Sequence, residues 1–286
     1  MIRSICLVGI AAITLSAAPA QEVLVFLRDK SIDESSGIDL SNRHTSTGWT
    51  HNDSGGKDRI YQVDLKTGNT VGEVEFKKSD NQDWEDIVTF EDGDIAYLMV
   101  CDVGDNLKRR NHCQLCIIPE PLFKDSKDSL KSEDWLNIEF TYEDGPRNCE
   151  SVAVDVKNRK IILVEKIYPE ADGIPGIYEL PLPGDLTGAK EELIAKRIGE
   201  IQTKNLTGMD ISDDGRRAVL RNYPRAWVYH KGPDQSWADV LGGELPAPIV
   251  LPLQPQGEGI CFSADGKSIL LSSENVKQPI WRIPIP

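Results

Sequence analysis

The chain has 286 residues, a formal net charge of −14 and a sequence pI of about 4.8. Its basic residues are scattered apart from Lys108-Arg109-Arg110, so the basic footprint that gives nucleic acid most of its affinity is missing, and cations are the favoured partners. No Pro/Gly/Ser linker divides the chain, and all-β closed folds of this length commonly form one unit.

Met1-Ile2-Arg3, the apolar stretch from Ile5 to Leu15 and the small-residue box Ala18-Pro19-Ala20 have the three parts of a secretory signal. This predicts a leader over residues 1–20, a single domain over 21–286 and a secreted or periplasmic protein. A retained anchor is the weaker alternative because the apolar stretch is short for a membrane span, so no stable insertion is expected.

Glu22 to Arg28 reads as a strand, and a short acidic module follows it and keeps returning. The copies are Glu34-Ser35-Ser36-Gly37-Ile38-Asp39, Asp83-Trp84-Glu85-Asp86-Ile87-Val88, Asn148-Cys149-Glu150-Ser151-Val152, Leu206-Thr207-Gly208-Met209-Asp210 and Gln256-Gly257-Glu258-Gly259-Ile260. Their spacing of about 50 to 65 residues is that of a propeller or an array. After most copies comes a Gly, Asp or Asn turn, as at Glu91-Asp92-Gly93-Asp94 and Ala264-Asp265-Gly266-Lys267, and then a second apolar run. Third strands alternate in Ile60 to Leu65, Gly176 to Leu180 and Ile280 to Ile283; fourth strands lie in Leu136 to Tyr142, Leu193 to Ile198 and Ile249 to Leu253. Four strands per repeat describe an all-β chain built as a β-propeller. The count is five blades, or six if Leu107 to Pro146 hides a degenerate one. The last repeat runs out after three strands, so the first strand is expected to complete it and close the ring without an open seam.

Five cysteines remain beyond the leader. A cross-strand disulfide from Cys101 to Cys113 or Cys116 is the leading expectation in an oxidising compartment, with inert buried thiols next. Redox or zinc chemistry at Cys113-Gln114-Leu115-Cys116 is disfavoured, because strand residues three apart face opposite ways and the strand-to-helix context of such a motif is missing.

In a propeller, the residues opening each module and those ending the second strands meet at one mouth of the channel. This gathers Glu85, Glu150, Glu258, Asp86, Ser36 and Thr207 with Asn52, Asp53, Asp102, Asp105, Lys166 and Arg221. Two unit charges about 7 Å apart repel by roughly 2 kcal/mol at an effective dielectric of about 20, so three glutamates call for protonation, for Lys166 and Arg221, or for a cation. Oxygen donors of this kind suit calcium, with Glu85, Glu150, Glu258 and Asn52 as metal ligands. The four histidines show no zinc-ligand spacing. Asp102 or Asp105 would orient or activate water, and Lys166 and Arg221 would bind an anion or neutralise the glutamates. The bland readings are hairpin capping by Asp102 and Asp105, inter-blade packing by Trp84, and a bond from Asp86 to a neighbouring blade's backbone.

Trp49-Thr50-His51-Asn52-Asp53-Ser54-Gly55-Gly56, Asp83-Trp84-Glu85-Asp86-Ile87, Asp102-Val103-Gly104-Asp105-Asn106 with Arg110 downstream, and Arg221-Asn222-Tyr223 together resemble a group of secreted bacterial β-propellers, mostly uncharacterised. More distantly, Gly257-Glu258-Gly259-Ile260 with Ser273-Glu274 looks like blades of gluconolactonase-like and phytase-esterase-like propellers. That resemblance implies a central divalent metal with Glu and Asn ligands, and lactone or phosphoester hydrolysis in some members. Thr207 and Ser36 stand where a fourth carboxylate would sit, and the Gly-His and Trp-Asp signature of WD repeats is absent. Three functional classes follow: a metal-dependent hydrolase of a small ester, lactone or phosphoester; a non-catalytic propeller binding a small molecule, a sugar or a protein, with a structural metal or none; and a scaffold. A monomer is expected.

Overall fold

The computed structural model describes residues 20–53, 57–77, 82–123, 128–130, 135–188 and 190–285. The expected leader lies outside these residues except for Ala20, as do Ser54, Gly55 and Gly56 of the sequence motif. No helix of the described residues is long and apolar enough to cross a membrane.

The chain opens with β1 (Glu22–Phe26) and then runs as successive antiparallel meanders. First come β2 (Ser35–Leu40), β3 (Thr47–Asn52), β4 (Arg59–Asp64) and β5 (Thr70–Phe76), then β6 (Trp84–Asp92), β7 (Ile95–Asp102), β8 (Cys113–Pro119), β9 (Asp128–Leu130) and β10 (Leu136–Tyr142). Next are β11 (Cys149–Asp155), β12 (Lys160–Glu165), β13 (Gly176–Pro181) and β14 (Lys190–Glu200). The last are β15 (Gly208–Ile211), β16 (Arg217–Arg221), β17 (Arg225–His230), β18 (Ile249–Val250), β19 (Gly257–Phe262), β20 (Ser268–Ser273) and β21 (Pro279–Pro284). Among the described residues a short α-helix, α1 (Trp237–Leu241), held by a capping box between Ser236 and Asp239, and a 3-10 turn over Val156–Asn158 interrupt the all-β pattern.

The tight turns form where the sequence offers a residue for the left-handed region: Gly93, Gly215 and Gly266 close β6–β7, β15–β16 and β19–β20 with φ near +64°, +65° and +62°. The sheets are β2-β3-β4-β5 with β9 added in parallel at the outer edge, β15-β16-β17-β18, β19-β20-β21-β1, and one eight-stranded sheet. The last joins β6-β7-β8-β10 to β11-β12-β13-β14 through a parallel pairing of their outer strands β10 and β14. The segment Leu107 to Pro146 therefore adds strands to these sheets and builds no separate four-stranded unit among the described residues. β1 pairs antiparallel with β21, which supplies the strand the last meander lacks.

Burial falls from the axis outward, as a radial arrangement demands: β11 and β19 are buried at every position, whereas most of β14 is exposed. The innermost strands touch in a closed cycle of β2, β6, β11, β15 and β19. Aspartates on these strands clasp the next unit. Asp39 accepts the Thr89 amide at 2.6 Å, Asp86 accepts the Val152 amide at 2.9 Å, and Asp210 accepts the Phe262 amide at 2.8 Å. Between sheets lie apolar layers, one of which stacks Trp84 edge-on against Phe76 with ring centroids 5.6 Å apart.

All five described cysteines are buried and unbridged, which corrects the disulfide expectation. In the β7–β8 ladder Cys101 faces Leu115, and Cys116 faces Val100, so no cysteine stands opposite Cys101. Cys113 and Cys116 do enter different core layers.

Candidate functional site

Four of the five inner strands break register at the position the repeated module marks. The shifts fall between Ser35 and Ile38, Trp84 and Asp86, Cys149 and Ser151, and Gly257 and Ile260. Such bulges re-aim a side chain out of the ladder. The residues released are Ser36, Glu85, Glu150 and Glu258, and all four are buried.

Glu85 sits at the centre of the group. One carboxylate oxygen each from Asp53, Asp83 and Glu85 lies within 4.8 Å of the others. Burial, and then the neighbouring Glu150, Asp53, Asp83 and Glu258, push the Glu85 carboxyl well above the usual carboxylate range. Its hydroxyl neighbour Ser36 donates to Glu85 Oε2 at 3.4 Å. Gly104 packs directly on the group: a Cβ there would lie 2.4 Å from both Asp83 Oδ2 and Glu85 Oε1. Glu258 accepts Gln256 Nε2 on Oε1 at 3.1 Å, but its buried Oε2 has no hydrogen-bond partner.

Glu150 is neutralised differently. It is bonded to Lys166, whose ammonium also lies over the rings of Tyr168 and Tyr223, 5.4 and 5.7 Å from their centroids. Burial works against the ammonium, but Glu150 outweighs it and holds Lys166 above its ordinary pKa. Arg221 makes no such pair; its guanidinium donates to Gly259 O, Ser272 O and Gln254 Oε1, stitching β16 to the next unit. Burial brings it down to about 9.

The remaining sequence candidates are bonded within the fold. The Asn52 amide donates to Ser31 O at 2.7 Å and Asp33 Oδ1 at 3.0 Å, so it braces the loop ahead of β2. Asp102 accepts the amides of Gln82 and Asp83 and an ion pair from Arg110, and Asp105 accepts the Arg110 amide. Asp53 and Asp83 complete the carboxylate trio although the repeated module does not single them out. The available signal is positional: Asp53 directly follows β3 and Asp83 directly precedes β6, at the strand ends that open on the bulges.

The donor set fits a hard cation. Calcium holds its oxygens at about 2.3–2.6 Å, so oxygens sharing one ion can lie up to roughly 5 Å apart, which the trio satisfies. All three donors are carboxylates, and Glu258, whose charge also pushes the Glu85 carboxyl up, stands near them.

No family model matches the chain, and no curated protein does. Among solved structures, a gluconolactonase from Xanthomonas campestris aligns with 94% of this chain and 87% of its own, at 10% identity and a TM-score of 0.48. Hydrazine synthase from Kuenenia stuttgartiensis aligns with 84% of this chain and 68% of its own, at 10% identity and a TM-score of 0.45.

Proposed function

We propose that the chain is an exported five-bladed β-propeller, periplasmic or secreted, that binds calcium in its acidic funnel and hydrolyses a small ester, lactone or phosphoester there. The observation that carries this reading is the carboxylate trio of Asp53, Asp83 and Glu85, of which Glu85 is buried and the other two half-buried, with no basic side chain bonded to Glu85 among the described residues. These three would hold the ion, with Glu258 beside them. A bound calcium supplies Lewis-acid polarisation of a carbonyl or phosphoryl oxygen. Lys166, kept charged by Glu150, offers a fixed positive charge beside the partly exposed ring of Tyr168. Asp102 holds the backbone of Asp83, and Arg221 holds the backbone behind Glu258.

A second reading, a monomeric binding propeller with a structural ion, is favoured by one observation: Asp102, Asp105 and Arg221 are all occupied by hydrogen bonds within the fold.

The deciding experiment compares the melting temperature of residues 21–286 in chelator and in excess calcium. A ligand that binds only the native state adds about 2.7 kcal/mol at a hundred times its Kd, so a clear rise is expected, lost in Glu85→Gln. An unchanged melting temperature ends the calcium reading. An ester, lactone and phosphoester screen then separates the two functions. Turnover that survives in Glu85→Gln sinks the hydrolase, and saturable binding without product supports the binding module.

A further inference from the structure

We propose that Arg110 is a positioning residue for the cation site, an inference that rests on the calcium reading above. Asp83 is the trio member that precedes its strand, so its placement depends on what grips the backbone on either side of its side chain. Both grips come from the end of β7 and the loop that follows it. Asp102 Oδ1 accepts the Asp83 amide at 3.0 Å and Oδ2 accepts the Gln82 amide at 3.2 Å, while the Gly104 amide donates to Asp83 O at 3.1 Å. Gly104 also presses its α-carbon against the carboxylates of Asp83 and Glu85, where a Cβ has no room.

That loop is in turn held by one side chain. Arg110 Nη1 donates to Asp102 Oδ1 at 2.6 Å and to Gly104 O at 2.8 Å, and the Arg110 amide donates to Asp105 Oδ2 at 2.8 Å. The Arg110 side chain is only 9% exposed, so its pair with Asp102 is shielded from solvent. One guanidinium thus fixes both residues that grip Asp83, and it neutralises Asp102, whose charge would otherwise add to the acidity behind the trio. The same loop is also bonded to the next unit, where Asn148 accepts the Asp105 amide at 2.7 Å and reaches Glu150. Outer partners of this kind typically change metal affinity by about 10- to 100-fold when removed.

The test is calorimetric titration of calcium into the wild-type protein, Arg110→Met, Arg110→Lys and Asp102→Asn, alongside the melting temperature of each in chelator. Wild type binds calcium, Arg110→Met binds about 10-fold or more weakly, and Arg110→Lys, which can still donate to Asp102 and Gly104, recovers most of the affinity. Asp102→Asn keeps one oxygen for the Asp83 amide and falls between them, and it stands in for Arg110→Met if that variant does not fold. Wild-type calcium affinity in these variants together with lower melting temperatures overturns the positioning role and leaves a merely structural one. Absence of calcium binding by the wild type overturns the calcium reading itself, and the positioning role with it.

Discussion

The Glu150–Lys166 pair shows how this site keeps charges in place. Both side chains are 4% exposed, and removing one partner of such a pair leaves the other buried and uncompensated. Lys166→Met is therefore expected to destabilise the protein by about 3–5 kcal/mol in urea unfolding, and pairing it with Glu150→Gln should recover much of that loss. Equal losses in the single and double variants would contradict this. Single residues were unevenly legible in the sequence. Glu85, Glu150 and Glu258 stand out because they recur at one place in a repeat. Asp53 is legible only as a residue at a second-strand end and Asp83 only as the opening of its module, since neither recurs and their contribution depends on which strand end a loop returns to. Asn52, next to Asp53, shows how sharply this matters: its neighbour reaches the trio while its own amide braces residues 31–34.

At the scale of elements, the strands and hairpins follow from alternation and turn residues, and the bond from Asp86 to the next blade's backbone also holds. The bulges are what the sequence hides. A repeated polar residue followed by a small one marks them, but only the paired register reveals that the ladder slips there and turns the glutamates out. The unbridged cysteines have the same origin, because a one-residue difference in register puts Leu115 rather than a cysteine opposite Cys101. Asp86 gives this scale its prediction. It accepts the amides of both Ile87 and Val152, so Asp86→Ala leaves buried donors unpaired and should cost about 1–3 kcal/mol for each. Asp86→Asn retains an acceptor and should cost less. Equal denaturation midpoints for the two variants would argue against the clasp.

For the whole molecule, the buried carboxylates set the pH response. Burial pushes Asp39 up to about 7 against the hydrogen bonds from Thr89 and Leu40, and burial also raises Glu85, Asp86 and Asp210. A carboxyl whose folded pKa exceeds its unfolded value of about 3.9 contributes stability that is full below that value and is lost as pH rises through the folded pKa. In chelator, the melting temperature should therefore fall between about pH 4 and 7 as Asp39 ionises, and Asp39→Asn should flatten part of that fall. Excess calcium should oppose the decline in the funnel and leave the Asp39 contribution untouched. A melting temperature that climbs with pH over this range in chelator would rule the account out.

The pairing of β1 with β21 also orders events in time. Phe26 lies beside Pro279, so β1 leaves the ribosome well before its partner strand exists. At about 5–20 residues per second that interval is of the order of tens of seconds, during which the edge meant for β21 stays open. A chain released early can fold its middle sheets yet lacks the strand to which β1 anneals. Pairing of β1 therefore marks a chain that has been made through β21, and a protease that attacks unpaired β1 would remove chains that stop short of it.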